Sequence, residues 1–363
     1  MSTQATPENS QPMTGTALRS SIAMIALLAA PAAADDGPLG ALPKSFTGTL
    51  PAASGPGIEW QVDLLADGSF QLRQTYLDRG PDRVHDDIGR WVVGSDGASL
   101  LLHGGREAPV GFAIEAPERL RLLDTELLPI ESELPYTLAA AAVPPLKPEL
   151  FLTGMYRYMA DAAVFDECLT ERRLPVAFVA DNLALERAYL ALLQAEGLEP
   201  GTPVLAQLDG RIAMLPPMEG DGLQPQLEPL RVIGLQAEAT CPEPFSQAEL
   251  RGTEWQLARL GDAPVELAED QRRPNLTFSP DENRVWGFAG CNRLIGGFAA
   301  HGDQLRFSGA GSTMMACPVG MDLEQGLFQA LEATERYRVL GRLLDLYDAE
   351  GALVARFTDD AAR

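Results

Sequence analysis

The chain has 363 residues, with 28 Lys or Arg against 51 Asp or Glu, for a formal net charge of −23. That length predicts two or three domains of roughly 100–200 residues, each able to bury its own core, and 46% hydrophobic with 22% charged residues is the composition of a folded chain. The acidic balance argues against nucleic-acid backbones and anionic lipid headgroups as partners, since both need a basic footprint. Three histidines and four cysteines leave little material for metal or triad chemistry.

Residues 17–34 read ALRSSIAMIALLAAPAAA. Arg19 supplies a positive n-region, Ile22 to Ala30 an apolar core, and Ala32-Ala33-Ala34 a small-residue cleavage site. A cleavable signal peptide over 1–34 and export to the periplasm are therefore expected. The polar stretch ahead of Met13 is unusual for a signal, which leaves Met13 open as the start. The apolar run falls short of the roughly 20 residues of a spanning helix, and no cysteine follows it to carry lipid. Neither a permanent membrane anchor nor a lipoprotein is expected from this signal. Cleavage removes one acid, Glu8, and one base, Arg19, so the charge stays at −23.

Over 46–138, Trp60, Val62 and Leu64 alternate with polar residues, and Phe70 and Leu72 follow an Asp67-Gly68 turn. Trp91 and Val93 lead to Asp96-Gly97, then Leu100 and Leu102, with Leu120 and Leu122 continuing the pattern. Evenly spaced short strands with turn residues between them predict a small antiparallel barrel or sandwich. Pro144-Pro145-Leu146-Lys147-Pro148 reads as a stiff linker. The next block contains one helix, 182–196, from Asp181 as N-cap to Gly197 as stop, with Leu185, Ala188, Tyr189 and Leu192 on one face. Strands follow over 204–208, then a turn at Asp209-Gly210, then 212–215 and 230–235. The last block has strands around Leu276 and Leu305 and a helix over 323–336 carrying Leu327, Phe328 and Leu331 inward. Asp322 and Gln325 are placed as its capping pair. Closing strands over 343–347 and 353–357 flank Glu350-Gly351. The fold class is mainly β with minor α.

The last block reads L-R-G-T-E-W-Q-L (250–257), N-L-T-F (275–278), V-W-G-F-A-G-C-N-R-L-I-G-G (285–297) and S-T-M-M-A-C-P (312–318). M-D-L-E-Q-G-L-F-Q-A-L (321–331) and L-x-L-Y-D-x-x-G (344–351) complete it. In order and spacing it resembles the META domain family, which includes the bacterial heat-inducible protein HslJ. The first block has F-T-G-T-L-P-A-A-S-G-P-G-I (46–58), D-L-L-A-D-G-S-F-Q-L (63–72), G-R-W (89–91) and L-R-L-L-D (120–124). The second has G-M-Y-R-Y-M-A-D-A-A-V-F-D-E-C (154–168), L-E-R-A-Y (185–189) and Cys241-Pro242. Both are similar to the NlpE family. The resemblances imply a small lipocalin-like antiparallel barrel over 43–140, the linker 144–148, an OB-like barrel with one helix over 149–244, and a META fold with one helix over 245–360. The NlpE pattern L-P-C-x-x-C-x-G-I falls on 50–58, where Ala52 and Gly55 replace the two cysteines.

What the resemblances imply is a non-catalytic periplasmic protein of envelope stress or of ligand or protein binding. Its partner would be an envelope sensor protein or a small ligand, and the chain would be monomeric. The alternative is copper homeostasis. A cuprous site wants soft ligands; Ala52 and Gly55 offer none, and the remaining soft atoms cluster at Met314, Met315, Cys317 and Met321, with Cys291 near in sequence. Met314 and Met315 read first as core or rim packing, and Met155 with Met159, at helical spacing, and Met214 with Met218 are weaker ligand candidates still. His85, His103 and His301 lie in turn-like contexts in the first and last blocks and read as surface-loop residues. Gly94-Ser95-Asp96-Gly97 and Gly309-Ala310-Gly311-Ser312 read as loops, and neither a Gly-x-Ser-x-Gly elbow nor a Walker loop is present, so no catalytic residue is named. Four cysteines allow three connectivities. Because each block is expected to fold as a unit, pairing within blocks, Cys168 with Cys241 and Cys291 with Cys317, is the economical choice. Two buried free thiols would also suit the second motif. The acids are spread along the chain, so the −23 charge reads first as a solubility device and second as a means of steering a basic partner.

Overall fold

The computed structural model describes residues 37–359 except 53, 54, 79, 81, 82, 107, 161 and 270, so the leader expected over 1–34 lies outside the described residues. Eight antiparallel strands open the fold: β1 (Lys44–Leu50), β2 (Ile58–Leu64), β3 (Ser69–Tyr76), β4 (Val84–Val93), β5 (Ser99–Gly104), β6 (Val110–Ala116), β7 (Arg119–Leu122) and β8 (Thr137–Ala140). They pair in sequence order and β8 returns to β1, closing a barrel. Alternation sends one residue in two inward, and Phe46, Val62, Leu64, Phe70, Leu72, Leu102 and Phe112 fill the interior. The Asp67-Gly68 turn forms because the Asp67 carboxylate accepts from the backbone N–H and hydroxyl of Ser69.

A five-stranded sheet follows, built from β9 (Glu149–Met159), β10 (Ala162–Glu167), β11 (Arg173–Pro175), β12 (Val204–Leu215) and β13 (Gln224–Gln236), with α1 (Asn182–Glu196) between β11 and β12. The order is β11-β10-β9-β12-β13, and a lone parallel bridge between Val176 and Leu227 draws the outer strands together, as in a partly open OB barrel. The helix stops where Gly197 adopts φ +65° and its N–H closes on the Leu193 carbonyl. Asp181 makes no side-chain cap, and the buried stripe is Leu185, Tyr189 and Leu193, four residues apart, with Leu192 only partly buried. Asp209-Gly210 is not a turn. β12 runs through it, paired on one side with β9 and on the other with β13, and the dipeptide is absorbed as a bulge. Met155 and Met159 lie on strand β9, so their spacing is not helical.

The last sheet contains β14 (Glu254–Leu260), β15 (Ala263–Pro264), β16 (Asn275–Phe278), β17 (Arg284–Phe288), β18 (Arg293–His301), β19 (Gln304–Ser312), β20 (Arg336–Leu340), β21 (Leu343–Tyr347) and β22 (Leu353–Asp359), with α2 (Met321–Ala333) between β19 and β20. An additional pairing of β14 with β22 closes the ring around Trp255, Leu257, Leu276, Phe278 and Phe357, and α2 adds Leu327 and Leu331 to that core. Helix α2 begins and ends earlier than the sequence suggested. Its N-cap is Gly320 at φ +90°, so Asp322 and Gln325 form no capping pair. Gly320 is there because a Cβ would meet the Gly290 carbonyl oxygen at 2.2 Å. The segment 309–312 is strand rather than loop.

The three sheets belong to one compact unit. Ile88 of β4 inserts into the core of the second sheet. Leu101, Leu123 and Leu127 from the first block pack with Leu340 of β20. Ser95 and Val339 exchange hydrogen bonds across the same junction: the Ser95 N–H donates to the Val339 carbonyl, and the Val339 N–H to the Ser95 hydroxyl. Segment 144–148 is not a free linker. The Leu146 N–H donates to Asp63 Oδ2 at 2.7 Å, Gln61 donates to the Pro144 carbonyl, Arg73 to that of Lys147, and the Ile212 N–H to that of Pro148.

Candidate functional site

Strands β1 to β4 place Ser45, Asp63, Gln71 and Ile88 in one lateral row, each the register partner of the next. Their neighbours Phe46, Leu64, Phe70 and Leu72 are interior residues, so the row lies on the outer face of the barrel. Ile88 is covered by the second sheet, while Asp63 and Gln71 line a cleft of about 740 Å³ between that face, the 140–146 segment and strand β12. Its walls are Pro43, Ala140, Ala141, Ala142, Val143, Pro145, Ile212, Met214 and Pro225, which offer no side-chain donor or acceptor.

The polar groups are few. Asp63 is buried, with one carboxylate oxygen taken by Gln61 Nε2 and the other by the Leu146 N–H. Lys44 Nζ donates to the Leu39 and Pro117 carbonyls. Arg172 holds Asp67 through Nε at 3.1 Å, and its two Nη groups meet no acceptor among the described residues. Burial acts to raise the Asp67 pKa, but the Ser69 hydrogen bonds and the charges of Arg172 and Arg90 outweigh it and hold the carboxyl below its ordinary value. Gln71 is 7% exposed, and no described residue engages either end of its amide. Gln71 therefore offers, on the wall of this cleft, an amide that no described residue uses and that a ligand could engage.

The residues singled out from sequence lie elsewhere. Cys168 is bonded to Cys241 and Cys291 to Cys317, with Cα–Cα separations of 5.4 and 5.8 Å. Met314 is fully exposed, Met315 and Met321 are also exposed, and the Cys317 sulfur is committed to its disulfide, so this segment presents no thiolate. Among the described residues, no three His, Cys, Asp or Glu side chains are arranged to hold a metal ion. Ala52 and Gly55 lie between β1 and β2, and a Cβ on Gly55 would fall 2.3 Å from the Asp78 carboxylate, which would have to swing aside to admit it. His85, His103 and His301 are strand residues rather than loop residues, His301 as the last of β18. His103 stacks on Phe245 at 4.1 Å, and burial there pushes its pKa down.

The G-C-N-R and S-T-M-M-A-C-P motifs meet as a structural knot. Asn292 donates through its backbone N–H and Nδ2 to the Glu324 carboxylate, which also accepts from the Ser312 hydroxyl. Asn292 Oδ1 accepts from the Thr313 hydroxyl and the Met315 N–H. This network and the Cys291–Cys317 bond tie the 312–318 segment to the start of α2. The motif is spent on holding backbone, which is why it offers no open ligand set. The cleft residues gave a weaker signal: Gln71 is one polar residue in an alternating strand, and the Ala–Pro run reads as a linker until it is seen against the barrel.

Three family models match the chain in order: the NlpE N-terminal domain over 46–133, the NlpE C-terminal OB domain over 147–242 and the META domain over 248–361. The chain is 37% identical over 175 residues to lipoprotein NlpE of Escherichia coli (strain K12), covering 48% of this chain and 70% of that protein. The chain belongs to the NlpE family. The crystal structure of the Cpx pathway activator NlpE from Escherichia coli is 33% identical, covering 56% of this chain and all of that one at a TM-score of 0.25. An NMR structure of a protein from Burkholderia xenovorans is 27% identical, covering 35% of this chain and 97% of that one at a TM-score of 0.27. The cleft lies between the two blocks that match the NlpE models, and the META block is additional to them.

Proposed function

We propose that the protein is a non-catalytic envelope-stress protein of the NlpE type, acting on the periplasmic side by binding, with the cleft as its sensing site and an envelope sensor protein as its partner. The observation that carries this is the cleft itself: an apolar groove between the two NlpE blocks with the Gln71 amide, engaged by no described residue, on its wall. Family membership supports the envelope role, since the Escherichia coli relative is a lipoprotein and an activator of the Cpx pathway. Occupancy would alter how the barrel and the second sheet are braced, because Arg73, Asp86 and the 144–148 strap connect both across the cleft's edge. The test is an envelope-stress transcriptional reporter in a host producing the exported chain. Production should raise the reporter severalfold, and Ala141→Trp, which fills the cleft, should change that response. A reporter that ignores both chains overturns the reading.

A further inference from the structure

We propose that the cleft takes a fatty-acyl ester: one hydrocarbon chain ending in an uncharged, oxygen-rich head. This rests on the cleft being the binding site proposed above and adds the class of ligand. The chain follows from the walls. Consecutive Ala140, Ala141, Ala142 and Val143, facing Met214 and Pro225, present a strip without side-chain hydrogen-bonding groups. No side chain of the strip would answer a glycan's hydroxyls, whereas methylenes need no partner there and gain roughly 0.8 kcal/mol each on burial.

The head follows from the donors and the charge. Gln71 supplies an unpaired amide and Arg172 two Nη groups without acceptors, while both Asp63 oxygens are already engaged. The ligand must therefore bring acceptors. Lys44 and Arg172 are offset by Asp63 and by Asp67, the Arg172 partner, so the local charge cancels. A carboxylate head would bring a charge that nothing balances beside buried Asp63, while an ester carbonyl accepts from the same donors without that penalty.

Calorimetric titration of the mature full-length chain with 1-monodecanoylglycerol, and separately with decanoate, tests this. One equivalent of the ester should bind saturably, with decanoate weaker by about tenfold or more. Gln71→Leu, which removes the amide but keeps the volume, should weaken the ester by about tenfold, and Ala141→Trp should abolish binding. If Ala141→Trp does not fold, Met214→Glu serves as the blocking variant. No saturable binding, decanoate as tight as the ester, or binding that survives the blocking variant overturns the proposal. A reporter that responds while no ester binds overturns only the ligand class. Binding with a silent reporter overturns only the signalling role.

Discussion

At the scale of single residues, Asp345 is a buried carboxylate held between two arginines. It is 1% exposed and accepts from Arg338 Nη2 at 2.7 Å, Arg356 Nε at 2.6 Å and Nη2 at 2.9 Å, and the Tyr347 hydroxyl at 3.1 Å. The same guanidinium groups reach the first block, Arg338 to the Ser99 hydroxyl and the Leu127 carbonyl, Arg356 to the Glu126 carbonyl. Burial acts to raise the Asp345 pKa, but the hydrogen bond from Arg356 and the two positive charges outweigh it, so the carboxyl stays below its ordinary value. A lowered folded-state pKa gives stability that is complete above the unfolded value of about 4 and is lost as pH falls through the folded value. Removing the carboxylate strands two buried cations. Asp345→Ala should therefore lower unfolding stability at pH 7 by about 3–5 kcal/mol, and Asp345→Asn should flatten the acid limb of urea midpoints below pH 4. An unchanged acid limb would show that the triad does not govern it. None of this was legible in sequence, where Asp345 is one acid in an alternating strand, because its two arginines are joined to it only by strand pairing.

At the scale of elements, stops and staples carry the clearest predictions. Gly197 ends α1 at φ +65° with no atom near a would-be Cβ, so Gly197→Ala tests conformation alone. It should cost about 1–2 kcal/mol, read from thermal or urea unfolding. The disulfides act on longer loops. Cys168–Cys241 closes 73 residues and Cys291–Cys317 closes 26, contributing roughly 4 and 3.5 kcal/mol in the chain-entropy model. Mass spectrometry of protein from an oxidising compartment should find those two linkages, and a cross-block linkage or four free thiols would contradict them. The limits of α1 were legible because a Gly stop and a 3.6-residue period are local. The Asp209-Gly210 turn misled because turn chemistry is also local, while the bulge was imposed by pairing on both edges of β12. The cap of α2 misled for a similar reason: close approach of Gly290 and Gly320 left no room for a side-chain cap.

At the scale of the whole molecule, the barrel packs on both of the other blocks. Ile88 enters the second core, and Leu101, Leu123 and Leu127 meet Leu340 of the META block. Phe245, in the segment joining the second block to the third, stacks on His103 of the barrel. Leu340→Asp would bury a charge in that apolar cluster, and the META block should loosen from the barrel while each sheet stays folded. Limited proteolysis should then cut within 243–248 several times faster than in the unmodified chain, with the Cys168–Cys241 bond intact. An unchanged cutting rate would mean that the polar contacts of Ser95 and Arg338 suffice to hold the junction.

The sequence by itself determined the mainly β class, the three successive blocks and the helix over 182–196. These are properties of local periodicity, turn chemistry and motif order, and they are written along the chain. Tertiary structure alone decided that the Pro-rich segment is a strap, that the META motif is a knot of backbone contacts, and that Gln71 lines a cleft. Each depends on which outward strand face is covered and by what, and alternation along a strand says only that a residue points outward.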